Sequence, residues 1–471
     1  MIRPYQTQAI DELRNALTQF RRVLLWLATG AGKTFIFCKI TRATVMNGGN
    51  VLIMVRGRKL VHQACQRLGH ENVNHGVFMS GHWNYRPHMP VQVCSIDTLI
   101  SRGARPKADL IIIDEAHLAS SKGYKTVLSD YPDVPIISVT ATPYVDSGLT
   151  HVAETIVHPI SMLGLIAEGY LAPFRPFAPS TPDLSKVKVS SSTKDYVVEQ
   201  LFESVVSGTL MGNIVKHWKR LASDRPTLCF AVNIKHSKLL VDKFMQAGVI
   251  AEHLDASYSD GERNAAIKRL ERGETQIISN VGILSLGVDI PCVSVIIMGR
   301  PTQSRNLYIQ QAGRGTRIFP GKQDCILLDH AGNIGRHGLP TEEPEICLDG
   351  RTKEIAVKKS KICKACFAVY RGKICPECGV EPPKEETQTP EETDDELVEI
   401  TETDPVLCSF NSLKKEARRT GRKTAWVYHK MVNRFGIEKA RPYLPQWFLA
   451  SEEDRNAKLF GYSPFKGLNR P

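Results

Sequence analysis

No apolar run in this 471-residue chain reaches the roughly 18 residues that a membrane-crossing helix requires, so no transmembrane segment is expected. Nor does the opening stretch, MIRPYQTQAIDELRNAL, read as a secretory leader, being amphipathic and carrying acids. A disulfide framework is not expected either. Eight of the 12 cysteines stand singly and four cluster late, which fits a reducing, cytoplasmic compartment. Acids are in deficit, 49 against 61 Lys and Arg, leaving a net charge of +12. That balance favours a polyanionic partner, although a uniformly basic surface would produce the same number. With 42% hydrophobic and 23% charged residues, the composition is that of an ordinary globular chain, long enough for two or three domains.

What is present is a repeated rhythm. Between about residues 20 and 145, strand-like runs such as VLIMV (51–55), VQVCSI (91–96), LIIID (110–114) and IISVT (136–140) alternate with amphipathic stretches. The rhythm restarts near 226 with PTLCFAV, QIISNV, VSVIIMG and CILLD. Such alternation predicts an α/β fold of two tandem parallel-sheet lobes covered by helices, at 1–150 and 206–350. Residues 151–205 have weak periodicity and one short helical stretch, ISMLGLIAEGYL, and are read as a connecting segment. Further on, 381–405 carries eleven acids against one lysine and reads as a disordered linker. Residues 406–471 carry fourteen Lys and Arg against five acids, with Trp426, Tyr428, Phe435, Tyr443, Trp447 and Phe448, and read as a small helical module.

Three motifs bear on chemistry. LATGAGKTFIF (27–37) follows the apolar run Arg22–Trp26 and opens onto a helix-like stretch, the layout of a phosphate-binding loop. Thr29, Gly30, Ala31 and Gly32 would wrap the phosphates, Lys33 would reach the β- and γ-phosphates, and Thr34 would sit on Mg²⁺. Leu27 stands where the usual pattern has its first glycine. LIIIDEAH (110–117) ends an apolar strand in two carboxylates, Asp114 for the metal's water shell and Glu115 for the attacking water. YIQQAGRGTRIFPGK (308–322) spaces Gln310, Arg314 and Arg317 so that one helical face would present all three. Two arginines aimed at one point suit a γ-phosphate whose charge grows during transfer. With the arginines in one lobe and the phosphate loop in the other, ATP would lie between them.

In their order the motifs resemble those of superfamily 2 nucleic-acid helicases of the DEAH-box type, over about residues 1–345. RPYQ (3–6) is similar to the adenine-reading motif, which implies Gln6 on the base edge and Arg3 or Tyr5 against its face. ATGAGKT, DEAH, TAT (140–142) and QQAGRGTR are similar to motifs I, II, III and VI. VLIMVRGRKLVHQ (51–63), SIDTL (95–99), CFAVNIKHSKLL (229–240) and ISNVGILSLGVDIP (278–291) resemble motifs Ia, Ib, IV and V, the last with Gly287 and Asp289 at the nucleotide. The resemblance implies two RecA-like lobes. It also implies Arg56, Thr98, Asn233 and Asn280 as contacts to a nucleic-acid track. RPYQ, the run ending in Gly287-Val-Asp289, LLDHAGN (327–333) and the late cysteines resemble the RadD-like branch of bacterial and phage DNA helicases. That branch implies a bacterial or phage-infected cytoplasm, with work at the nucleoid.

The cysteine cluster is Cys363-x2-Cys366-x8-Cys375-x2-Cys378, the paired-knuckle spacing of a tetrahedral zinc site. A zinc-binding module over 351–380 is therefore expected; an iron–sulfur cluster is the less compatible alternative. Zinc would hold the segment folded, and the flanking lysines leave a nucleic-acid contact open. The tail EARRTGRKTAWVYHKMVNRFG (416–436) mixes cations and aromatics, as an accessory DNA grip or a docking site for replication or recombination proteins would. The expected activity is an ATP-dependent DNA helicase or translocase on forked or branched DNA. An RNA helicase, or an ATP-gated scaffold that does not translocate, is the alternative.

Overall fold

The computed structural model describes residues 2–119, 122–178, 182–206, 209–285 and 288–350, and short stretches at 361–362, 369–370, 413, 417 and 424–435. In the first lobe seven strands form one sheet: β1 (Arg22–Trp26), β2 (Val51–Val55), β3 (Gly76–Phe78), β4 (Val91–Ser95), β5 (Leu110–Asp114), β6 (Ile136–Thr140) and β7 (Thr155–Val157). Their order is β3-β4-β2-β5-β6-β1-β7, and every pairing is parallel. Helix α1 (Pro4–Leu17) precedes β1, and α2 (Lys33–Met46), α3 (Arg58–His70), α4 (Ile96–Arg102) and α5 (Lys122–Leu128) lie between the strands. Val51–Val55 is buried at every position, because helices cover both faces and alternation is lost. On α3 the buried residues are Leu60, Val61, Ala64 and Leu68, a stripe at helical spacing.

The short helix α6 (Met162–Ala167) precedes the second lobe, whose strands are β8 (Phe174–Phe177), β9 (Thr227–Phe230), β10 (Ala251–Leu254), β11 (Ile277–Asn280), β12 (Val295–Met298) and β13 (Cys325–Asp329). They are ordered β10-β11-β9-β12-β13-β8, again all parallel. The helices of this lobe are α7 (Val198–Val206), α8 (Thr209–Ala222), α9 (Ile234–Gln246), α10 (Asp260–Glu271), α11 (Arg305–Ala312) and α12 (Asn333–His337). The stretch 151–205 is more than a connector with one helix. It lends edge strand β7 to the first sheet and edge strand β8 to the second. One apolar cluster runs through both lobes, from Leu25, Ile53 and Ile112 to Phe230, Ile296 and Leu327.

Beyond the lobes, β14 (Lys361–Ile362) and β15 (Val369–Tyr370) pair antiparallel. Cys363, Cys366, Cys375 and Cys378 lie outside the described residues, as does the acidic stretch 381–405. Residues 401–471 form a separate unit, within which α13 (Thr424–Phe435) buries Val427 and Met431. No helix among the described residues is long and apolar enough to cross a membrane.

Candidate nucleotide site between the lobes

Parallel sheets place the loops that lead from strand to helix at the C-terminal ends of the strands, where ligands of such folds bind. The loop after β1 supplies Thr29 to Gly32 and ends in α2, whose first residue is Lys33. Gly30 and Gly32 sit at φ +87° and +81°, conformations that strain any side chain. A Cβ on Gly32 would also meet Gln6 Nε2 at 2.6 Å. Leu27, at the position of the missing glycine, is fully buried, so an apolar side chain is accommodated there.

Lys33 reaches only backbone, donating to Leu27 O and Ala28 O at 3.3 Å each. Burial lowers its pKa, while the nearby Glu115 and Asp114 carboxylates pull it back up. Asp114 ends β5, and burial followed by repulsion from Glu115 pushes its carboxyl well above the usual carboxylate range. Glu115 sits at φ +52°, rare for a residue with a side chain. Its Oε2 is buried without a hydrogen bond, 3.4 Å from His117 Nδ1. A glycine cradle, a buried amine on carbonyls, and two crowded carboxylates, one with an orphaned oxygen, fit a phosphate chain with a divalent cation.

The second lobe closes the site. Gln310 donates its amide to His117 Nε2 at 3.1 Å and to Thr142 Oγ1 at 3.2 Å, while His117 Nδ1 lies 3.1 Å from Thr140 Oγ1. Accepting at Nε2 makes His117 neutral, in line with a pKa lowered by burial. Gln310 therefore bridges the lobes while lining the same cleft as the arginines. The single helical face expected from the spacing does not form: α11 stops at Ala312, Arg314 sits in a 3₁₀ turn, and Arg317 lies beyond it. Close packing dictates the break. A Cβ on Gly313 would come within 2.7 Å of Thr29 Cβ across the cleft, and one on Gly315 within 2.1 Å of Cys325 Sγ.

Both arginines nevertheless turn into the cleft. Arg314 donates to Ser285 O and Val288 O, and burial lowers its pKa to about 9. Arg317 pairs with Asp289 at 2.9 Å, and Asp289 pairs in turn with Arg67 of the first lobe at 3.2 Å. The cleft, about 270 Å³, is lined by Gly30, Lys33, Thr34, Asp114 and Glu115 from one side and Asp289, Gln310, Arg314 and Arg317 from the other. A roomier hollow of about 410 Å³ lies at the opposite strand ends, but its Arg21 and Arg22 are taken up by Asp133 and Glu154.

Other expected residues are placed less simply. Tyr5 is buried with its hydroxyl on Ala31 O at 2.7 Å, and Gln6 donates to the same carbonyl at 3.3 Å, so both brace the phosphate loop. Arg3 lies 4.9 Å over the ring of Tyr170, a cleft residue that no sequence pattern marked. Among the track residues Arg56 is exposed and Asn233 caps α9. Thr98 is 6% exposed. Asn280 is fully buried, holding Cys229 O and Leu284 N, and has no surface to offer a track. Gly287 lies outside the described residues.

Residues 1–145 match the family described as type III restriction enzyme, res subunit, and residues 210–319 match the helicase conserved C-terminal domain. The chain is a superfamily 2 helicase. Among its relatives, the "51.5 kDa protein" of a Lactococcus phage is 27% identical over 396 residues, covering 82% of this chain and 84% of the phage protein. The "Putative ATP-dependent helicase IRC3" of Saccharomyces cerevisiae is 29% identical over 453 residues, covering 88% of this chain but only 64% of the yeast protein. In fold, the helicase lobes are similar to a fragment of a "putative HsdR subunit of a type I restriction enzyme" from Vibrio vulnificus, with a TM-score of 0.54 and 21% identity. That likeness covers 74% of this chain and 69% of the other.

Proposed function

We propose that this helicase is an ATP-driven DNA motor of the RadD-like, DEAH-type branch, acting on forked or branched DNA in replication, recombination or repair. The observation that carries the reading is the two-sided cleft, with phosphate-binding and acidic residues on one lobe and a paired set of arginines on the other. A site completed only when two lobes meet can couple hydrolysis to their relative motion. Bound Mg·ATP supplies the γ-phosphoryl group whose transfer to water drives the cycle. Lys33 and the loop amides bind phosphate oxygens, Thr34 and Asp114 hold the metal's shell, and Glu115 orients the water and takes its proton. Arg314 and Arg317 meet the charge that develops on the transferring group, and Arg3, which lines the cleft, faces the base, with Gln6 behind it on the phosphate loop. The excess of positive charge supports a polyanionic track.

The same proposal includes a zinc ion on Cys363, Cys366, Cys375 and Cys378. The antiparallel pair β14 and β15 supports it, because it brackets the first Cys-x2-Cys as the strands of a knuckle do. The deciding experiment is ATP hydrolysis measured with single-stranded DNA, duplex, forked duplex and RNA, each with and without Mg²⁺. Strongest stimulation by forked or single-stranded DNA supports the reading. Stimulation by RNA alone replaces DNA with RNA, and hydrolysis indifferent to every polymer removes the motor.

A further inference from the structure

The loop from Met79 to Pro90, between β3 and β4, holds its largest apolar side chain out in solvent: Trp83 is 83% exposed and Tyr85 52%. The loop is nonetheless tightly built. Asn84 is buried, donating to His75 O at 3.2 Å while its own carbonyl accepts from Val77 N at 2.9 Å. Gln92 ties down Arg86 O and Met89 O at 2.7 and 2.9 Å. The His82 ring stacks against Trp83, with centroids 5.7 Å apart and planes 23° apart, and His62 backs His82 at 5.1 Å. A rigid support under an uncovered indole costs apolar exposure that a collapsed loop would avoid, which points to a ligand with a flat face.

The surroundings indicate which flat face. Segment 75–90 contains no acid, and Arg58, Arg86 and His88 are exposed on or beside it. At its root, Arg58 donates to Ser80 O at 3.3 Å, and Ser80 N donates to Thr98 Oγ1 at 3.4 Å. The loop therefore grows out of the two segments, 51–63 and 95–99, that resemble track-binding motifs. It also lies at the outer edge of its sheet, because β3 is the terminal strand. Aromatic faces flanked by cations are how proteins hold unpaired bases without reading sequence.

We propose that Trp83 is a base-stacking platform at the outer end of the first lobe, taking an unpaired nucleobase of the bound strand while Arg58 and Arg86 hold the neighbouring phosphates. The inference rests on the reading of the chain as a nucleic-acid motor. It adds a residue that feels the base rather than the backbone.

The test compares an intact DNA oligonucleotide with one of equal length and charge whose sugars are abasic, against wild type, Trp83→Ala and Trp83→Phe, with ATP hydrolysis followed alongside. Wild type should prefer the intact strand by about five- to a hundred-fold, the range expected for one stacked base. Trp83→Ala should bind the intact strand no better than the abasic one, and Trp83→Phe should retain most of the preference. Strand-stimulated hydrolysis in wild type, combined with the same intact-strand preference in Trp83→Ala, overturns the platform and leaves the motor standing. If no strand stimulates or binds wild type, the motor reading and the platform fall together.

Discussion

Glu115 is the residue on which most depends. Its φ is positive and its buried Oε2 has no hydrogen bond, and in the proposed motor that oxygen is the one that orients the attacking water. Glu115→Gln should therefore keep Mg·ATP binding, since Lys33 and Asp114 remain, and lose turnover because the amide cannot take a proton. Near wild-type hydrolysis in that variant would sink the assignment. Arg317 pairs with Asp289 at the cleft, and in the proposed motor it turns from that carboxylate to the γ-phosphate. Arg317→Ala should lower kcat by roughly 10³-fold or more with a smaller change in ATP affinity, because its contribution grows with the charge of the transition state. Steady-state kinetics against nucleotide binding separates the two, and an unaffected kcat would mean ATP does not lie between the lobes. Both residues were visible in the sequence, being anchored in short motifs with a chemical reason for each atom. Tyr170 was not. A lone aromatic at the end of one short helical stretch carries no signal until the fold brings Arg3 over its ring.

At the scale of elements, the strands that positioned the site were legible because they are buried on both faces. β5 and β6 match their apolar runs residue for residue. β7 and β8 escaped for a physical reason: they are three and four residues long, lie at sheet edges, and β8 contains Pro176, which only an edge strand accepts readily. The break between α11 and the arginines escaped because spacing alone cannot register what a missing Cβ allows. The two glycines there should separate cleanly in experiment. Gly315→Ala drives a methyl into Cys325 and Ile296 inside one lobe and should cost about 1–3 kcal/mol, read as a lowered Tm. Gly313→Ala meets Thr29 of the other lobe, so thermal stability should change little while kcat falls because the cleft closes imperfectly. Equal effects on Tm would show that the lobes unfold as one block. For the cysteine module, elemental analysis should find about one zinc per chain, lost in the double variant Cys363→Ser, Cys366→Ser. A metal-free, fully active preparation would rule zinc out.

Over the whole molecule, charge is distributed unevenly: +13 on residues 1–380, −10 on 381–405 and +9 on 406–471. A strongly acidic stretch between two basic ones separates the lobes and their ATPase motifs from a basic tail. Removing everything after residue 380 should therefore preserve DNA-stimulated hydrolysis and weaken binding to forks, but the lost acidic stretch pushes affinity the other way. A cleaner variant keeps the linker and changes Trp426, Arg418, Arg419, Arg422 and Lys423 to Ala. Trp426 lies on α13 with the Lys430 ammonium 5.9 Å from its ring, a cation–aromatic pairing also found on surfaces that stack bases. If the four cations meet phosphates, each lost contact should flatten the salt dependence of binding by roughly 0.7 to 0.9 in the slope of log K against log salt. Fork affinity should then fall most at low salt, where released counterions count most, and ATP hydrolysis at saturating DNA should be preserved because no cleft residue is altered. Equilibrium binding to a labelled fork across a salt series reads both quantities at once. An unchanged affinity with an unchanged slope would assign the tail to a protein partner, leaving the grip on DNA to the two lobes alone.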